Sequence, residues 1–200
     1  MKGSLLIIAS FALGVVLGVT KLLSLGELTD DLSFCALAGL LFCVGLSIGS
    51  DFRTFGNLKK LNYRLLFLPL MTIIGSLSGA AFSSVFIHGR SVVDCMAVGS
   101  GMAYYSLSSV FITQYKGAEL GAVALLANII RELGTLLLAP LLVKFFGNLA
   151  PISSGGATTM DTTLPVIIRY SGKNFVVLSI YHGFICDFSV PFLVTLLCTI

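Results

Sequence analysis

The fold is decided by residues 118–146, which read AELGAVALLANIIRELGTLLLAPLLVKFF. This run exceeds the length of about 20 mostly apolar residues that a helix needs to cross the hydrocarbon core of a bilayer. Its middle carries Asn128, Arg131 and Glu132. Because ionisable side chains are costly at that depth in a membrane, Arg131 and Glu132 are candidates for a functional site.

The composition of the whole chain also indicates a membrane protein. Of its 200 residues, 56% are hydrophobic and 10% are charged, and the mean hydropathy is +1.03, whereas a soluble domain carries about 25% charged residues. The net charge of +3 does not indicate a nucleic-acid partner, because the basic residues lie between apolar segments without a patch of interleaved aromatics. The five cysteines lack any metal-binding spacing, so we expect buried small hydrophobes and no metal or cofactor.

Apolar runs of spanning length predict about seven transmembrane helices in one integral membrane domain, residues 1–200. The runs are 4–25, 34–50, 63–87, 92–114, 118–146, 154–170 and 174–199. The sixth is irregular, so we expect one discontinuous helix that either spans or re-enters. The predicted fold is an all-α bundle.

Basic residues predict the orientation, because Lys and Arg accumulate in short cytoplasmic loops. With seven crossings and a cytoplasmic N-terminus, eight basic residues lie inside and three outside. The inside set is Lys2, Arg53, Lys59, Lys60, Arg64, Lys116, Arg169 and Lys173, and the outside set is Lys21, Arg90 and Lys144. The C-terminus is then expected on the outer side of the membrane.

Helical spacing separates the polar residues of the fifth run. Asn128 and Glu132 are four residues apart and share a face, whereas Arg131 points about 100° away from Glu132. Arg131 therefore needs an anion elsewhere. One interpretation is a structural ion pair between Arg131 and Asp161 or Glu132 across helices, and the other is a cation or proton site.

A second polar stretch, residues 155–163, reads GGATTMDTT and precedes Pro165. Its composition predicts poor helix, and irregular backbone at membrane depth is tolerated only in a protein interior or beside a wet cavity. The alternative is an external loop with Asp161 as a helix cap. The candidate ligands for a substrate or ion here are Asp161, Gly155, Gly156, Thr158, Thr159 and Thr162.

A third polar stretch, GSGMAYYSLSS at residues 99–109, has two interpretations. Its hydroxyl groups can bond to their own helix and serve packing alone. Alternatively, Tyr104, Tyr105 or Ser106 lines a substrate path. In the last run His182 is expected to be structural, and Asp187 is expected to face a cavity or another helix.

At these stretches the sequence resembles the lysine exporter (LysO) family of bacterial membrane proteins. The matching blocks are GSGMAYYSLSS at 99–109, AELGAVALLANIIRELGTLLLAPLL at 118–142, GGATTMDTTLPV at 155–166 and HGF at 182–184. The resemblance implies export of L-lysine, and of analogues such as thialysine, from the cytoplasm. It also implies an inverted-repeat transporter-like bundle in the bacterial inner membrane, in which two intramembrane acids, Glu132 and Asp161, are required for transport.

Family members are often longer, so the resemblance implies the larger piece of a split transporter. The expected partner is a small membrane subunit that supplies the N-terminal helices, or else a second copy of this chain. The expected mechanism is antiport, in which Glu132 or Asp161 releases a proton as the lysine ammonium binds. Two other functions remain open: a sodium/proton-type cation antiporter, and a non-transporting membrane assembly subunit. No enzyme motif is present in the sequence.

Overall fold

A computed structural model of the chain describes residues 63–87 and 89–200, together with Leu13 and Val16. The chain divides into two compact units, residues 1–42 and 43–200. In the first unit Leu13 and Val16 lie in helix with exposed side chains. Apart from these two residues, the predicted helices at 4–25 and 34–50 lie outside the described residues.

All described secondary structure is helical, which agrees with the all-α prediction. The α-helices are α1 (Leu68–Ser83), α2 (Val92–Gly99), α3 (Tyr105–Lys116), α4 (Ala118–Phe146), α5 (Ala150–Gly155), α6 (Leu164–Tyr170) and α7 (Val176–Thr199). Three short 3₁₀ segments accompany them: Tyr63–Phe67 before α1, Gly156–Met160 after α5, and Lys173–Phe175 before α7.

Three helical stretches in the described part are long and apolar enough to cross a membrane. They are Leu65–Ser83, Ala118–Phe146 and Lys173–Thr199. Each corresponds to a predicted span. The 29-residue α4 continues through Pro140 without interruption, so the long fifth helix is confirmed.

The prediction of one continuous helix over residues 92–114 is wrong. Helix α2 starts on a capping box formed by Ser91 and Asp94 and ends at Gly99, and α3 begins only at Tyr105. Between them Met102 and Ala103 have φ values of 43° and 70°. Non-glycine residues rarely adopt this left-handed conformation, and a helix cannot continue through it.

The two ends of this broken segment lie together. Lys116 Nζ is 3.5 Å from Asp94 Oδ1, and Arg90 Nη2 is 2.5 Å from Glu119 Oε1. A continuous helix would separate Asp94 from Lys116 by about 33 Å, at 1.5 Å per residue. Residues 92–116 therefore enter the bundle and return to the same end, and we call them the first hairpin.

Residues 150–170 make a second hairpin. Its two short helices, α5 and α6, are separated by the 3₁₀ segment and a turn, so the predicted interruption at 154–165 is confirmed. Ile152 of α5 and Ile167 of α6 are both fully buried and share one core cluster with Leu178 near the start of α7. Leu65 and Leu68, at the start of α1, pack on the same cluster.

The tips of the two hairpins touch each other. The Ala157 N–H donates a hydrogen bond of 2.9 Å to the Met102 carbonyl oxygen. Gly156, at φ +60°, lies so close that an added Cβ would stand 2.3 Å from that oxygen. Glycine is therefore required at position 156 by both its backbone conformation and the lack of space.

The first hairpin also corrects the predicted distribution of charge. Arg90 and Lys116 were assigned to opposite sides of the membrane, but both lie at the open end of the first hairpin, each beside an acidic partner. Lys144, Arg169 and Lys173 lie at the opposite end of the bundle, where α4 ends, α6 ends and α7 begins. Lys2, Lys21, Arg53, Lys59 and Lys60 lie outside the described residues.

Candidate functional site

Asn128 of α4 holds the tip of the first hairpin. Its side-chain Oδ1 accepts the Ala103 N–H at 2.8 Å. Its Nδ2 lies 2.8 Å from the Ala124 carbonyl oxygen, with the Ser108 hydroxyl and the Val98 carbonyl at 3.4 Å. A buried amide is well suited to this place, because it accepts from a backbone N–H of the left-handed turn and donates to nearby carbonyl and hydroxyl oxygens.

Arg131 holds the second hairpin instead of an acid. Its Nε donates to the Ser154 carbonyl oxygen at 2.9 Å and its Nη2 to the Ser153 carbonyl oxygen at 3.1 Å. Its Nη1 donates to the Ser76 hydroxyl of α1 at 3.0 Å. The carbonyls at the end of α5 carry partial negative charge, which a guanidinium complements. The interpretation as an Arg131 ion pair with Asp161 or Glu132 is therefore wrong.

Glu132 lies on the same face of α4 as Asn128, one turn further along, as its spacing predicts. The residue is 3% exposed, and its Oε1 is buried with no hydrogen-bond partner in the described part of the chain. The Thr162 side chain approaches the carboxylate, and Asp161 is close enough to act on it electrostatically. A buried carboxylate oxygen without a donor is costly, so this position favours an incoming cation or proton.

Asp161 lies at the end of the 3₁₀ segment that forms the tip of the second hairpin. Its backbone is irregular, at φ −135° and ψ −87°, and its Oδ1 accepts the Thr162 N–H. The side chains of Asp161 and Thr162 are exposed. The two acids therefore differ in setting: Glu132 is fixed on a long helix, and Asp161 is accessible on an unwound backbone.

Tyr105 joins this pair, but Ser106 does not. Tyr105 begins α3, is half-buried and lies within electrostatic reach of both Glu132 and Asp161. Ser106 is also half-buried, and its carbonyl oxygen accepts the Ser109 hydroxyl at 3.5 Å. No described contact places Ser106 beside either acid.

The predicted glycine and threonine ligands mostly shape the tip of the second hairpin. The Thr158 hydroxyl donates to the Gly155 carbonyl oxygen at 2.8 Å. The Thr159 hydroxyl lies 2.8 Å from the Gly156 carbonyl oxygen. The Thr158 hydroxyl thus bonds to its own backbone, and the Thr159 hydroxyl also lies 2.9 Å from the Ser179 carbonyl oxygen of α7. Of the predicted threonines, Thr162 is the one that faces the acids.

The family model described as lysine exporter LysO matches residues 8–198 of this chain. The chain belongs to the LysO family. It is 31% identical over 182 residues to a protein of Escherichia coli (strain K12) named "Lysine exporter LysO". It is 30% identical over 157 residues to a protein of Haemophilus influenzae named "Putative lysine exporter".

The LysO alignments differ in how much of each relative they cover. The first covers 91% of this chain and 60% of the E. coli protein, and the second covers 78% of this chain and 79% of the H. influenzae protein. No solved structure matches the chain. LysO family membership, together with the long apolar helices, identifies a multi-pass membrane protein of a transporter family.

His182 makes contacts in this LysO protein that the sequence alone does not predict. It is fully buried on α7, where its Nδ1 lies 3.2 Å from the Thr159 hydroxyl and its Nε2 lies 2.9 Å from the Thr72 hydroxyl of α1. It therefore connects α7, α1 and the tip of the second hairpin. The structural interpretation of His182 fits these contacts, and the cost of a polar side chain in an apolar run is the signal that marks it.

Asp187 is the second residue of α7 that the sequence ranks low. It is 4% exposed and lies within electrostatic reach of Asp161. The same cost in lipid that marks Glu132 also marks Asp187 in its apolar run. The described part of this LysO protein contains no group of three His, Cys, Asp or Glu side chains arranged to hold a metal ion. Two of its acids, Glu132 and Asp187, are buried on long helices, and Asp161 lies exposed at the tip of the second hairpin.

Proposed function

We propose that this chain exports L-lysine from the cytoplasm across the bacterial inner membrane, by proton antiport. The observation that carries the proposal is the buried Glu132 carboxylate without a hydrogen-bond donor on Oε1, within reach of the accessible Asp161. Family membership supports lysine as the cargo. Broken helices whose tips meet inside a bundle are the usual framework of transport sites.

The charged groups of lysine indicate which residues bind each of them. Lysine at neutral pH carries two ammonium groups and one carboxylate, so its site needs acids and at least one donor. We assign an ammonium to Glu132 and Asp161, and the carboxylate to the hydroxyls of Tyr105 and Thr162. Arg131 is a positioning residue here, because all three of its nitrogens already donate to Ser76, Ser153 and Ser154.

We assign the movement in the transport cycle to the two hairpins. Asp161 lies on a short irregular segment, whereas Glu132 lies on the continuous α4. A change at the tip contact between Ala157 and Met102 would alter the access to both acids from either side. In the cycle, one acid binds a proton when lysine is absent and releases it when an ammonium arrives, so each lysine leaves as a proton enters.

The simplest test is exchange of lysine by the protein itself. Membrane vesicles that contain the chain and are loaded with unlabelled lysine should take up labelled lysine from outside by counterflow. Vesicles from cells without the chain provide the background. Equal uptake by the two kinds of vesicle would contradict lysine transport.

We also propose an orientation from the positions of the charges. Lys144, Arg169 and Lys173 crowd one end of the bundle, whereas Arg90 and Lys116 at the other end are paired with acids. The positive-inside rule makes the first of these ends cytoplasmic. Helix α7 then ends outside, and the N-terminus is cytoplasmic if residues 4–25 and 34–50 both cross.

Labelling with a membrane-impermeant maleimide tests the first hairpin. In a background without native cysteines, Arg90→Cys and Glu119→Cys should label from the same, external side of the membrane. Lys144→Cys and Lys173→Cys should label from the cytoplasmic side. The side chains of Glu119, Lys144 and Lys173 are exposed. Labelling of residues 90 and 119 from opposite sides would show that residues 92–116 cross the membrane.

A further inference from the structure

Asp187 lies on the face of α7 that packs against the second hairpin. Gly183, one turn earlier, packs so closely that an added Cβ would stand 2.8 Å from the Met160 backbone nitrogen and 3.0 Å from the Ala157 carbonyl oxygen. Residues four apart share a helix face. Asp187 therefore lies one turn beyond this close contact with the second hairpin.

Asp187 is a buried acid without a described partner. The residue is 4% exposed, and no described residue forms a hydrogen bond or an ion pair with it. The ion pairs in the described part of the chain join Arg90 to Glu119 and Lys116 to Asp94, at the open end of the first hairpin. A buried and unpaired carboxylate is expensive unless a cation or proton joins it.

Three acids lie near the tip of the second hairpin: Glu132, Asp161 and Asp187. Asp161 follows Met160, which packs against Gly183 one turn before Asp187, and it lies within electrostatic reach of both Glu132 and Asp187. Asp161 is the exposed member of the three. A single ammonium group needs no more than Glu132 and Asp161, so the site has one acid more than a monovalent cation would require.

We propose that Asp187 and Asp161 form a second ammonium subsite, which makes the site selective for substrates with two ammonium groups. This inference rests on lysine being the cargo, and it adds the residue that binds the second ammonium group of lysine. One ammonium lies between Glu132 and Asp161, and the other lies between Asp161 and Asp187. An amino acid with an uncharged side chain leaves one buried acid without a partner and is rejected for that reason.

Competition in the counterflow assay tests Asp187. Norleucine has the carbon skeleton of lysine without the side-chain ammonium. For each compound we measure the concentration that halves the uptake of labelled lysine. The norleucine concentration divided by the lysine concentration then measures recognition of that ammonium. In Asp187→Asn this ratio should fall by at least about tenfold, mainly because lysine binds more weakly. Asp187→Glu restores the charge and should keep the ratio within about threefold of the unaltered protein.

Asp94→Asn is the matched control, because Asp94 is not one of these three acids and lies beside Lys116. Its ratio should stay unchanged. A ratio for Asp187→Asn within twofold of the unaltered protein would overturn the second subsite while leaving lysine transport intact. Failure of the unaltered chain to exchange lysine would overturn both proposals. Because Asn is isosteric and cheaper to bury than a charged Asp, the variant is expected to fold, and monodispersity in detergent checks this.

Discussion

Replacing Glu132 with Gln should abolish lysine export. The substitution keeps the shape of the side chain and removes the charge that an ammonium and a proton would share. Loss of one partner from a buried charge pair costs about 3–5 kcal/mol, which corresponds to a loss of at least about 100-fold in transport at low lysine concentration. The rate of labelled lysine efflux from loaded cells measures the effect.

Stability separates this prediction from a purely structural role. A neutral amide is cheaper to bury than the carboxylate whose Oε1 has no donor, so Glu132→Gln should insert normally and unfold at the same or a higher temperature. Glu119→Gln is the control, because Glu119 is 84% exposed and pairs only with Arg90 at the rim. Its transport should change by less than about twofold. Normal export by Glu132→Gln would refute the assignment.

Replacing Gly156 with Ala should also stop transport, but through the backbone. The added Cβ would stand 2.3 Å from the Met102 carbonyl oxygen and 3.0 Å from the carbonyl carbon. Both are backbone atoms, so the hairpin tips must separate. A shift of about 1 Å in a positioned site can cost about 100-fold in rate, and we expect a comparable loss of lysine counterflow together with a lower unfolding temperature.

Gly147→Ala is the matched control for backbone conformation. Gly147 also has a positive φ, +87° with ψ 176°, compared with +60° and −127° for Gly156, yet an added Cβ there has no described atom within 4 Å. The control carries a conformational cost of about 1–3 kcal/mol without the collision. It should lose some stability and keep most of its transport. If Gly156→Ala transports as well as Gly147→Ala, the tip contact has no role in transport.

The long helices could be predicted from the sequence, because apolar runs of spanning length leave few alternatives for the backbone. The break in the second hairpin could also be predicted, since two glycines and Pro165 disfavour helix in that stretch. The candidate acids Glu132 and Asp161 followed from the cost of charge in lipid. For each of these features the signal lies within one segment of the chain.

The return of the first hairpin could not be predicted in the same way. Residues 92–114 are mostly apolar, although they include Asp94 and the polar stretch at 99–109, and hydropathy is the same for a segment that crosses and for one that returns. Whether the segment crosses or returns depends on contacts between distant residues, above all Asp94 with Lys116 and Met102 with Ala157. Arg131 is a second example. Its position in the sequence predicts an anionic partner, but its partners are backbone carbonyl oxygens at the end of α5.

Proton movement in proteoliposomes tests the central claim most directly. The purified chain is reconstituted with a pH-sensitive dye inside, and a gradient of either lysine or sodium is imposed. Lysine-proton antiport predicts that the lysine gradient drives proton movement in the opposite direction, that the sodium gradient does not, and that Glu132→Gln removes the response. Proton movement driven by sodium but not by lysine would contradict lysine export and would instead identify a cation/proton antiporter.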